Sequence, residues 1–314
     1  MVLLLALNSC DDGDLIQEDI SFEDTATLSC TTNNIIFKLK DKESLLLEIP
    51  ETSFVNEPTL DGEPTIIAIN STNRVVYRFY SGTVSQDNIC ETIPPASPAV
   101  TDQWTATDGE IQITTTAVKT TNTSTGRTTI TGYNHNIVFK NITFDKGDGT
   151  SLVKETFPFG DYVTTATTLP FGFDEVVEQC STSKQIYNYT SSEALTLDDI
   201  DPDLIKNEIT PLDTPRTGLI GTTANKLVYR LYSNGVLTPS YFCNSTTPTL
   251  PTKSEEWIAN TGVANVSGII EVTTTSVLGT FIHKIVLKKV VLTSGNSNFT
   301  LGDSYIYGEL ITTN

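Results

Sequence analysis

Two histidines, one methionine and only 19 basic residues against 38 acidic ones occur in this 314-residue chain. These shortages narrow the possibilities. Nucleic-acid binding needs Lys and Arg against phosphates, and a net charge of −19 opposes it. The same charge opposes electrostatic docking on anionic lipid head groups. Long Ala/Leu/Glu helical stretches are missing. The apolar opening is unbroken only from Val2 to Leu7, far short of the ~20 residues a spanning helix requires. No G-x-S-x-G elbow, phosphate loop or H-E-x-x-H pair is present, so the usual nucleophile, nucleotide and zinc signatures are excluded. Among so many acids no single carboxylate pair stands out as a glycosidase site. The expectation is a protein without cofactor and without enzymatic turnover.

What the chain does contain is Thr and Ser in abundance, with Val, Ile, Tyr and Phe suited to pleated, half-buried strands. That composition predicts an all-β fold, and the length predicts about two domains. A repeat makes this specific. "SFEDTATLSC" is answered by "GFDEVVEQC", and "IIFKLKDKESLLLEIP" by "QIYNYTSSEALTLDDI". "RVVYRFYSGTV" matches "KLVYRLYSNGV", "GEIQITTT" matches "GIIEVTTT", and "HNIVFKNITF" matches "HKIVLKKVVL". Near the end of each copy, "FGDY" is paired with "LGDSY". Trp104 and Trp257 each follow a cysteine by 14 residues. Tandem duplication follows, with domains over 20–165 and 170–314 and a short linker near Thr164–Phe171.

Four cysteines, Cys30, Cys90, Cys180 and Cys243, fall in matched positions. An even number in matched positions reads as disulfides if the chain is exported. Four cysteines allow three pairings, and the repeat selects Cys30–Cys90 and Cys180–Cys243, one bridge inside each copy. A loop of about 60 residues closed this way contributes roughly 4 kcal/mol in the chain-entropy account. Strand patterning is clear within each copy. Val75, Tyr77 and Phe79 alternate with Val76, Arg78 and Tyr80. In "HNIVFKNITF" the apolar phase shifts from Ile137 and Phe139 to Ile142 and Phe144, and the second copy shifts identically, which predicts a β-bulge. Pro50–Pro64 and Asp201–Pro215 interrupt the pattern and are expected to hold long loops or a short helical turn. Seven or eight short strands per copy suggest two tandem β-sandwich-like domains, each with one internal disulfide.

Each candidate site has a structural alternative. His135 and His283 start the same strand in their copies. Without further His or free Cys to join them, a structural polar cap or packed ring is favoured over metal or acid–base chemistry. Arg78 and Arg230 sit beside tyrosines, and pairing with acids or aromatic faces is favoured over a carboxylate or sugar clamp. Asp198, Asp199, Asp201 and Asp203 crowd one loop and are a candidate calcium site, with solvated acidic loops as the alternative. Asp145 and Asp148 frame a second acidic loop. Trp104 and Trp257 suit a core role. Tyr241 and Phe242, a loop pair that differs between the copies, are the better candidates for stacking on a sugar.

The stretch Leu7-Asn8-Ser9-Cys10, closing an N-terminal apolar run, resembles the lipobox of bacterial lipoproteins. No Lys or Arg precedes it, and the initiator is expected upstream of Met1. In that family the cysteine is lipidated and the signal is cut before it, which implies Cys10 as the lipidation site, 1–9 as part of a signal peptide and 10–19 as an acidic tether. The acidic run "CDDGD" is similar to the export signal of cell-surface lipoproteins of Bacteroidota. Two or three acyl chains hold a protein where one does so marginally, at about 0.8 kcal/mol per buried methylene. Asp24-Thr25-Ala26 resembles the short O-glycosylation motif of the same group, with Thr25 as acceptor. The resemblance implies an outer-membrane, outward-facing protein anchored through its lipid. It would act as a non-enzymatic accessory or scaffold subunit of an outer-membrane partner, or alternatively bind glycans in a starch-utilisation-type uptake system.

Overall fold

A computed structural model describes residues 20–244 and 246–313. Nearly all regular structure is β. The first repeat forms β1 (Leu28–Ser29), β2 (Ile35–Lys40), β3 (Glu43–Glu48), β4 (Thr65–Ala68), β5 (Arg74–Tyr80), β6 (Val100–Thr121), β7 (Thr128–Asp145) and β8 (Ser151–Thr165). The second forms β9 (Val176–Gln179), β10 (Ile186–Tyr189), β11 (Glu193–Asp198), β12 (Arg216–Leu219), β13 (Lys226–Ser233), β14 (Thr252–Ala259), β15 (Ile269–Val277), β16 (Thr280–Lys288), β17 (Val291–Ser294), β18 (Ser297–Thr300) and β19 (Tyr305–Thr313). A single helical turn, α1 (Asp87–Cys90), carries the second cysteine of the first repeat. The expected disulfides are present, Cys30–Cys90 and Cys180–Cys243, one within each β domain.

Each repeat builds its own sheet. The first runs β1-β2-β3-β5-β6-β7-β8, with β4 also on β6; the second runs β12-β15-β16-β19-β9-β10-β11-β13-β14-β17-β18. In the second sheet a parallel pairing of β19 with β9 joins two antiparallel halves. Both halves feed one core: Ile270, Val272, Ile285 and Leu287 from one side, Leu195, Leu197, Tyr229 and Trp257 from the other. The two layers of the expected sandwich are thus parts of one continuous sheet.

The phase shift read in the sequence is a bulge. In β7, His135, Ile137 and Phe139 are buried, then Ile142 and Phe144, with Asn141 between them at φ 50°. The second repeat places Lys289 at φ 48°, and there β16 ends. The first repeat carries its long strands further, whereas the second breaks each of them in two. Its equivalents of β6, β7 and β8 are the pairs β14/β15, β16/β17 and β18/β19. One sequence match is corrected. "FGDYVTT" corresponds to "YGELITT" and not to "LGDSY": Gly160 (φ 115°) and Gly308 (φ 149°) share a place, and Gly302 lies in the loop between β18 and β19. The segments from Pro50 and Asp201 are loops, the first opening with a 3-10 turn at Glu51–Ser53.

The chain forms two compact units whose limits differ from the repeat boundary. Among the described residues, one comprises those up to Pro50, Ile69–Gly109 and Asn141–Lys154; the other comprises Glu51–Ala68, Glu110–Lys140 and those from Glu155 onward. Within β6 and β7 the divisions fall beside Gly109 (φ 122°) and Asn141, both at positive φ. One core cluster of the first unit is Cys30, Phe37, Leu46, Val76, Tyr80, Val84 and Ile89, and Leu45, Leu47, Val75, Ile142 and Phe144 are fully buried besides. The second holds the larger core, to which Ile130 and Tyr133 of the first repeat also belong.

Candidate functional site

The two histidines occupy equivalent buried networks. His135 is fully buried, with Thr115 Oγ1 at 2.9 Å from Nδ1 and Thr164 Oγ1 at 3.0 Å from Nε2. Thr164 donates onward to Asn56 Oδ1 at 2.6 Å. That bond uses the hydroxyl proton, so Thr164 accepts from the ring: Nε2 carries the proton and Nδ1 accepts from Thr115. His283 repeats the arrangement with Thr274, Thr312 and Asn207. Burial lowers the pKa of both rings; the nearby Arg216 guanidinium, which donates to Thr274 Oγ1, lowers that of His283 further. Both imidazoles are neutral clamps tying β-strands to a loop, the structural role favoured from sequence.

The two repeats differ on the face beside their disulfides. In the first, Ile35, Leu46, Ile89, Val100 and Gln103 occupy this face. Their counterparts, aligned on the cysteines and tryptophans, are Gln185, Thr196, Phe242, Lys253 and Glu256. In the second repeat these side chains, with Asp198, Arg230, Tyr232, Tyr241 and Thr247, line a cavity of about 360 Å³. Phe242 stacks on Tyr187 with ring centroids 4.4 Å apart, and Tyr241 meets both Tyr232 and Phe242 edge-on. Arg230 Nε donates to Glu256 Oε2 at 2.6 Å and Lys253 Nζ to Oε1 at 3.0 Å. Burial raises the pKa of Glu256, but bonds from Lys253 and Arg230 outweigh it and hold the carboxyl below its ordinary value. Burial raises the Tyr232 hydroxyl, with Tyr241 adding to the effect. The result is an aromatic wall facing planar polar groups whose charges are internally compensated.

Tyr241 and Phe242 are therefore brought together with Arg230. Sequence reasoning missed Gln185, Thr196, Lys253 and Glu256; the signal that finds them is the position-by-position difference between copies. Apart from Asp198, which borders the cavity, the remaining candidates lie elsewhere. Arg78 donates to Gln103 Oε1, and Trp104 and Trp257 are buried, each indole N–H held by an acid two residues earlier, Asp102 or Glu255. The aspartate loop does not converge: Asp198 accepts from Gln185, Asp201 caps the N–H of Asp203, and Asp203 pairs with Lys206. Among the described residues no group of three or more His, Cys, Asp or Glu side chains is arranged to hold a metal. Asp145 and Asp148 likewise cap N–H groups of their own turn. Thr25 is partly exposed at a turn beside Asp24. Cys10, with 1–19, lies outside the described residues. No protein-family model, curated protein or solved structure matches the chain.

Proposed function

We propose that the chain is an exported lipoprotein, tethered through Cys10 to the outer membrane and facing outward, that acts by binding as an accessory or scaffold subunit of a membrane partner. The observation carrying this reading is that all four cysteines after Cys10 close in pairs within their repeats, as suits an oxidising compartment. Cys10 then stands alone with the lipobox pattern around it. The use of both imidazoles as buried clamps supports binding over turnover. Replacing Cys10→Ala should release the protein from membranes, and protease added to intact cells should cleave the wild type. A tagged wild type should recover a stoichiometric outer-membrane partner; recovery of none removes the scaffold reading.

The cavity at Tyr241–Phe242 favours a second reading, capture of a glycan. Aromatic walls with a few convergent polar groups suit a small polar ligand, and four of the lining residues, Gln185, Thr196, Phe242 and Lys253, are replaced in the first repeat by the aliphatic Ile35, Leu46, Ile89 and Val100. A glycan array should give a signal that Tyr241→Ala and Phe242→Ala abolish while Cys30–Cys90 and Cys180–Cys243 remain formed. An array with no signal, or one unchanged by both variants, removes this reading.

A further inference from the structure

A second cavity in the second compact unit has a volume of about 470 Å³. Its floor is apolar and aromatic: Ile130, Tyr133, Leu169 and Trp257, all nine-tenths or more buried. Its polar lining includes Glu57, Glu255 and Glu256, and no Lys or Arg is among the lining residues. Glu256 is neutralised by Arg230 and Lys253. Glu57 and Glu255 are engaged differently. Glu57 Oε1 accepts the backbone N–H of Asn296 at 3.1 Å, and Glu255 Oε2 accepts the Trp257 indole N–H at 3.1 Å. Both bonds orient the carboxylates, and neither acid takes part in the ion pairs formed among the described residues. The tryptophan that forms the floor is thus fixed by one of the two acids.

We propose that this cavity is a binding site for an organic cation: an ammonium or guanidinium group on an apolar shaft, which Glu57 and Glu255 would hold by charge while the shaft lies on Trp257 and Tyr133. The volume is that of a small-ligand site. An aromatic face attracts a cation through its quadrupole, and hydrogen bonds to charged groups are the stronger kind. The two acids repel an anion, and a neutral ligand leaves both charges unmatched. The same chemistry is offered by a free polyamine and by a basic side chain of a partner polypeptide. The site is independent of the accessory and glycan readings above, apart from Glu256, which borders both cavities.

The test is calorimetric titration of the oxidised full chain with spermidine, with N-acetylarginine amide and with its neutral analogue N-acetylcitrulline amide. Saturable binding is expected for at least one of the two cations, weakening as salt is raised. Spermidine alone would identify a free amine as the source, arginine amide alone a peptide side chain. Glu57→Gln and Glu255→Gln each keep an acceptor for the existing N–H bond, so folding should persist, and each should weaken binding about tenfold. Binding of neither cation, binding no tighter than that of the citrulline amide, or binding unchanged in both Gln variants would overturn the proposal. Thermal melting of each variant separates lost binding from lost fold.

Discussion

A buried imidazole is expensive unless both ring nitrogens have partners, and both histidines here find two threonine hydroxyls. The consequence is a pH dependence with a definite sign. Each folded-state pKa is lowered from the ordinary 6.5, so in the window below that value the unfolded chain binds protons that the folded chain refuses. Stability is then full above about pH 7 and falls as the pH drops toward 5, before most carboxylates titrate. Melting temperatures measured across that window should decline, and replacing both residues, His135→Gln with His283→Gln, should flatten the slope. A slope unchanged in the double variant would show that other groups set it. Within each network the second threonine matters most, since it accepts from the ring and donates to the asparagine. Thr164→Val removes both the acceptor of the buried His135 Nε2–H and the donor to Asn56 Oδ1 and should cost about 1–3 kcal/mol, read by denaturant unfolding; Thr312→Val should cost less, because His283 Nε2 also lies 3.3 Å from Asn207 Oδ1.

The strands reveal how far a sequence pattern reaches. Alternation and a mid-run change of phase disclosed β7 and its bulge, because burial follows side-chain parity and an extra residue must reverse it. The disulfides were equally legible, because the repeat left each cysteine one partner within its own copy. The end of the repeat was misread: "LGDSY" shares more letters with "FGDY" than "YGEL" does, yet backbone need decides. Gly308 lies opposite the register shift between Ile285 and Val286, where β19 also turns to pair with β9. A Cβ added there would overlap Val177 and come within 2.9 Å of the Glu175 carbonyl oxygen. Gly308→Ala should therefore loosen the junction that closes the second sheet and destabilise by roughly 1–3 kcal/mol, as overpacking does. Gly279, at the β15–β16 turn, also has positive φ but open space around it. Gly279→Ala should cost only backbone strain, about 1 kcal/mol. Chemical denaturation of the two variants side by side separates contact from conformation.

At the scale of the molecule, the duplication is a fact of sequence and the compact units are a fact of packing. The two diverge because β6, β7 and β8 are long enough to serve both units, and no local pattern announces where a continuous strand changes neighbours. The cavities were hidden for a related reason: their lining is drawn from distant segments, and only the contrast between copies points to one of them. The disulfides test this organisation. They close loops of nearly equal length, with separations of 60 and 63 residues, so loss of either should remove a similar amount, about 4 kcal/mol. The units that bear the loss are unequal. Cys30 and Cys90 lie in the smaller unit, and Cys30 is itself part of one of its core clusters. The same free energy moves the melting point of a small unit further than that of a large one, because the unfolding entropy scales with size. Calorimetry of Cys30→Ala/Cys90→Ala should accordingly show a larger fall in transition temperature than Cys180→Ala/Cys243→Ala. Equal falls would mean that the chain unfolds as one cooperative body.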